Sequence, residues 1–85
     1  MNLGEWPVAT AGRVVSVDLD RRHRLRLGEL GVRPGSLVRI THRAAFGGRV
    51  VAVGADRFAL DATTCARIEV AAPGPATVAS VLRTA

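Results

Sequence analysis

The stretch Arg24–Gly48, RLRLGELGVRPGSLVRITHRAAFGG, decides how this chain folds. Leu27 and Leu30 stand three apart and share one face of a short helical turn. Gly31 stops that turn, because a residue without a Cβ takes the left-handed conformation cheaply. Pro34-Gly35 sets a tight reversal, proline fixing φ at the first central position and glycine admitting positive φ at the next. From Ser36 to Arg43 the period changes to two: Val38 and Ile40 point one way, Leu37, Arg39 and Thr41 the other. Ala44-Ala45-Phe46-Gly47-Gly48 then ends the strand in a loop of small residues around one aromatic. A helical turn, a reversal, a strand and a glycine loop in so short a span make the hinge of a small β domain.

On the N-terminal side, Gly12–Val17 (GRVVSV) is rich in β-branched residues and predicts a strand. Asp18–Asp20 closes it, with Asp20 placed to cap the Arg21–Leu30 turn. On the C-terminal side come a strand at Arg49–Val53, a reversal at Gly54-Ala55-Asp56, and a strand at Arg57–Leu60 with Phe58 and Leu60 on one face. Asp61 caps a second helical turn through Ala66, and Arg67–Val70 is the last strand, Ile68 and Val70 facing inward. Leu3 and Trp6 are expected to pin Met1–Pro7 to the barrel, Trp6 as a core or lid residue. The expected fold is mainly β: a small half-open SH3-like barrel of about five strands with one or two short helical turns. Residues 1–71 make up this domain. Pro73-Gly74-Pro75 breaks any element, and residues 72–85 form an apolar tail in which Val78, Val81 and Leu82 recur at helical spacing. A tail this short does not hold a helix alone.

A chain of 85 residues hides only ~60–65% of its unfolded surface, enough for one thin core without an enclosed active site. Its single Cys excludes an internal disulfide framework and a Cys-based zinc site. No apolar run approaches the ~20 residues needed to span a bilayer. Met1–Pro7 lacks the basic start and apolar core of a signal peptide, so a cytoplasmic protein is expected. The net charge is +5 and every basic residue is Arg. A polyanion-binding surface and the arginine usage of a GC-rich genome both account for that charge. Arg21, Arg22, Arg24 and Arg26 fan around several helix faces instead of forming one stripe. Trp6, Phe46 and Phe58 are scattered, without the paired platform that stacks bases, so nucleic acid is not the expected partner.

Catalysis is not expected. Cys65 lies in a small capped turn between alanines, where a buried, inert thiol is the usual outcome, and no third group orients a Cys-His pair. Gly47-Gly48 lacks the Gly-Lys-Ser/Thr ending of a phosphate loop. The candidate metal ligands His23, His42 and Cys65 stand singly, with no spacing that puts two on one face. What remains is a binding surface. Leu27, Leu30, Val32, Leu37 and Phe46 exceed what so thin a core takes up. They either line a groove between turn and barrel or close the barrel's open end, with Gly31, Pro34, Gly35 and Gly47 shaping the loops around them.

The run Arg24-x-x-Leu27-Gly28-Glu29-Leu30-Gly31-Val32-x-Pro34-Gly35, then Val38-x-Ile40 and Ala44-Ala45-Phe46-Gly47, resembles the FeoA family. It departs from the family pattern at Ala45, usually Pro, and at Gly48-Arg49, usually Asp-Pro. The resemblance covers about Leu3 to Val70. It implies a small cytoplasmic SH3-like domain that is an accessory of ferrous iron transport and not an enzyme. The partner it implies is the cytoplasmic GTPase domain of the FeoB transporter, or a second copy of the domain. Fe²⁺ enters as a ligand by resemblance alone. Two other readings stand beside it: a basic small-barrel nucleic-acid-binding protein, and a metal-sensing domain like those on metal-dependent repressors. The absence of a helix-turn-helix segment means that this chain does not read DNA alone.

Overall fold

The computed structural model describes residues 1–73. Five strands alternate with two short helices: β1 (Ala11–Val17), α1 (Arg21–Glu29), β2 (Leu37–Arg43), β3 (Arg49–Val53), β4 (Asp56–Leu60), α2 (Ala62–Ala66) and β5 (Ile68–Ala71), with a single 3-10 turn at Ala45–Gly47 between β2 and β3. The strands form one antiparallel sheet in the order β4-β3-β2-β1-β5. The expected mainly-β architecture is therefore present, and its strand positions agree to within a residue or so. The apolar tail expected after residue 71 lies almost wholly outside the described residues.

The sheet curls around a core taken from alternate residues of every strand. Val14, Val38, Ile40, Val51, Leu60, Ile68 and Val70 are buried, joined by Leu3, Leu27, Val32 and Cys65 from the connecting segments. Period-two alternation puts these side chains on one face. The opposite face carries Ala11, Arg39, Ala52 and Arg57, which the strand registers line up in one transverse row. Two irregularities bend the sheet. The β1–β5 register shifts between Val14 and Ser16, leaving Val15 exposed, and the β2–β3 register shifts between Ile40 and His42. An extra residue at each place adds local twist and lets a short sheet wrap toward a barrel.

Both helices begin on an aspartate. Asp20 accepts the amide of His23 at 2.9 Å, and Asp61 accepts the amide of Thr64 at 2.8 Å. Each carboxylate thereby satisfies an amide that has no partner within the helix. α1 ends by a defined device. Gly31, at φ 96°, lets its own amide reach the Gly28 carbonyl at 3.0 Å and the Val32 amide reach the Leu27 carbonyl at 2.8 Å. This crossed pair is the Schellman arrangement, and its usual apolar contact is made here by Leu27 and Val32, both in the core.

The two edges of the sheet are treated differently. The N-terminal segment lies along β5: the Leu3 amide donates to the Ile68 carbonyl and the Val70 amide to the Met1 carbonyl, each at 2.8 Å. Asn2 bridges Glu69 between these bonds. Trp6 lies over Gly12, its Nε1 donating to the Thr10 carbonyl at 3.0 Å, so it is a half-buried lid as expected. β4 has β3 on one side and no strand on the other among the described residues.

Candidate partner-binding site

Phe46 is 99% exposed, the most exposed large apolar side chain of the described residues. Its backbone is left-handed, at φ 55° and ψ 35°, a conformation that costs a non-glycine residue about 1–2 kcal/mol. The loop around it is nevertheless held from several sides. The Ala44 amide donates to the Gly48 carbonyl at 2.9 Å, and the Gly48 amide to the Ala45 carbonyl at 3.1 Å. Gly47 has positive φ and lies so close to α2 that a Cβ there would stand 3.1 Å from Ala62 Cβ.

Arg49 braces this loop. Its Nη1 donates to the Gly47 and Gly48 carbonyls at 2.8 and 2.9 Å, and its Nη2 to the Gly4 carbonyl at 2.7 Å. One guanidinium thus ties the Phe46 loop to the N-terminal segment. Its Nε is buried without a partner. The fork suits this task because several carbonyls can be taken in fixed geometry by one planar group. Gly48 fits the same place through its bareness, since a Cβ there would stand 2.9 Å from the Leu60 carbonyl.

The five residues expected either to line a groove or to close the barrel's open end separate onto different parts of the molecule. Leu27 and Val32 are buried, at 6% and 1% exposure, so they have no surface to offer; the Schellman contact at the end of α1 draws both into the core. Leu37 is half-buried on β2 and turns to the outer face of the sheet, beside Arg39. Leu30 and Phe46 are the exposed ones. The shaping residues are where the turns need them: Gly31 and Gly35 have φ of 96° and 93°, Gly47 of 79°, and Pro34 precedes Gly35 in the reversal. The Gly35 amide donates to the Val14 carbonyl at 2.8 Å, so this reversal is tied to β1.

The metal candidates are likewise kept apart in character. His23 is exposed on α1, its Nδ1 2.7 Å from Asp20 Oδ1, and His42 is exposed near the end of β2. Cys65 is fully buried, its Sγ 3.8 Å from the Leu60 carbonyl, and burial pushes its thiol up while the nearby Arg49 charge pulls the other way. No group of three or more His, Cys, Asp or Glu side chains that could hold a metal ion occurs among the described residues. Arg49 and the Phe46 backbone are the features that sequence reasoning missed. The departure at Gly48-Arg49 was visible; the three carbonyls waiting for the guanidinium were not.

The FeoA domain model matches residues 1–72 of the chain. A FeoA from Stenotrophomonas maltophilia, complexed with zinc, is 38% identical, with a TM-score of 0.69 over 84% of this chain and 89% of that one. It is described as an SH3 domain protein and a candidate activating factor of bacterial ferrous iron transport. An iron uptake regulatory protein (FeoA) is 26% identical, with a TM-score of 0.74 over 82% of this chain and 93% of that one. A manganese-dependent transcriptional repressor shares the fold alone, at 20% identity and a TM-score of 0.72, over 86% of this chain and 41% of the repressor. No curated protein matches the chain. No helix among the described residues is long and apolar enough to cross a membrane.

Proposed function

The chain belongs to the FeoA family, and on that premise we propose that it binds the cytoplasmic GTPase domain of a FeoB-like transporter, with Phe46 anchoring the contact. The family is one of small accessory proteins of ferrous iron transport, not of enzymes. Phe46 carries the proposal. Its side chain is 99% exposed and its backbone is left-handed, so the residue costs the fold stability and returns no burial. A rigid aromatic of this kind is the usual centre of a contact, because little conformational freedom is lost when it enters a pocket. Leu30, at the end of α1, is the other exposed residue of the expected set. The protein acts in the cytoplasm, where such a domain is accessible.

The test is a titration of the full chain against the soluble GTPase domain of its transporter, with and without guanine nucleotide and Fe²⁺. Phe46→Gly relieves the backbone and removes the phenyl group, so it folds at least as well as the parent chain. Saturable binding that Phe46→Gly weakens by at least about tenfold supports the proposal. Equal binding by parent and variant, or none by either, overturns it.

A further inference from the structure

The outer face of the sheet holds a second feature, remote from the role given to Phe46. Ala11, Arg39, Ala52 and Arg57 stand in one row across β1, β2, β3 and β4. Ala52 lies between the two arginines and Ala11 beyond Arg39, and all four line a depression of about 630 Å³ together with Leu37 and Thr41. No Asp or Glu lines it. The ion pairs of the described residues involve Met1, His23 and Arg67, so neither Arg39 nor Arg57 has a carboxylate partner there. Residues 74–85 contain no Asp or Glu and cannot supply an acidic side chain.

Arg57, at one end of the row, lies on β4, whose far side bears no strand among the described residues. Antiparallel pairing with β3 uses the main-chain groups of alternate residues only, which leaves the others pointing outward. β5 shows the contrast: Met1–Leu3 already covers its outer edge. On its inner face β4 presents Phe58, half-buried at the margin of the core.

We infer that the edge of β4, which bears no strand among the described residues, and Arg57 on its outer face form a docking site for an extended acidic segment of a partner protein, added as a further strand. A strand paired to β4 lies about 4.8 Å away, with its side chains alternating between the two faces. Those on the outer face meet Arg57, and those on the inner face meet Phe58. The occupant therefore alternates acidic and apolar residues. Charge selects it, and the exposed N–H and C=O groups hold it by strand addition. The depression offers no aromatic ring on which a base could stack, so an acidic peptide fits better than a nucleic acid. The inference rests on the accessory-protein reading only for the partner's identity, not for its chemistry.

The test uses the full chain and a capped peptide of alternating glutamate and valine, followed by amide resonances and hydrogen exchange. Binding protects amides of β4, and Arg57→Glu weakens it at least about tenfold. A peptide alternating lysine and valine then binds Arg57→Glu better than the parent chain, which shows that the variant is folded and that charge sets the choice. Glutamate-valine peptide N-methylated at alternate residues keeps its carboxylates and loses the ladder, so it binds at least about tenfold more weakly. Phe46→Gly leaves the titration unchanged, which separates this site from the transporter contact. Equal binding by Arg57→Glu, or by the N-methylated peptide, overturns the inference. So does a single-stranded oligonucleotide that binds more tightly at the same salt concentration.

Discussion

The amide of Val32 donates to the carbonyl of Leu27 at 2.8 Å, and this one bond turns a helix end into part of the core. The chain leaves α1, reverses at Gly31, and returns the side chain of Val32 to the side chain of Leu27. Both are buried. Leu27→Ala therefore costs about 2–5 kcal/mol, the range for emptying a buried leucine site. Leu30→Ala, on an exposed residue, stays within about 0.5 kcal/mol. Denaturant titration of the two variants checks the contrast, and equal effects would refute the assignment of Leu27 to the core.

Gly31 and Gly28 predict opposite outcomes for the same substitution. Gly31→Ala puts a methyl group 2.9 Å from Val53 Cγ1 on a backbone at φ 96°. It destabilises by at least about 1–2 kcal/mol. Gly28 has open space around it within α1, so Gly28→Ala stabilises by up to about 1 kcal/mol. Thermal unfolding of the pair should move the midpoint in opposite directions.

The two capping aspartates set an acid limit. Asp20 is held below its ordinary value of 3.8, first by the His23 amide and then by the His23 side chain. Asp61 is held below 3.8 by Thr64, side chain first and amide second. A depressed folded value means that the contribution is complete above the unfolded value and lost as pH falls through the folded one. Stability should therefore drop below about pH 4. In the double variant Asp20→Asn, Asp61→Asn, which keeps caps that do not titrate, the drop should be shallower. Unfolding midpoints across an acid pH series measure this, and identical slopes would count against the caps.

Cys65 should resist thiol reagents in the native protein and react once denaturant opens the core. The reactive species is the thiolate, and burial disfavours it here. Rapid labelling under native conditions would mean that the α2 region opens far more readily than its packing implies.

The strands were legible because apolar residues alternate cleanly in Val38-x-Ile40, Phe58-x-Leu60 and Ile68-x-Val70, and each of these is now inward. The caps were legible too, since Asp20 and Asp61 are short acceptors directly before helical turns. The bulges were not. Ser16 and Val17 follow Val15 in sequence as they would in a regular strand, and only the pairing with β5 reveals the extra residue. Which apolar candidates line a surface and which close the barrel was not legible for a related reason. Spacing alone does not tell that the reversal at Gly31 brings both Leu27 and Val32 into the core. Phe46 stood out as the one aromatic of its loop, but its full exposure was not legible. Its exposure follows from a loop closed by main-chain bonds and an arginine, which no periodicity encodes.

Arg49 touches carbonyls on both sides of a long stretch of chain, Gly4 on one and Gly47 and Gly48 on the other. A shared donor makes the two segments thermodynamically linked. Whatever stabilises the loop in its Phe46-out form also raises the free energy needed to peel Met1–Leu3 from β5, and the reverse holds by the same amount. Occupancy of the Phe46 loop can therefore be read as slowed amide exchange at Leu3, far away in sequence but joined to the loop through Arg49.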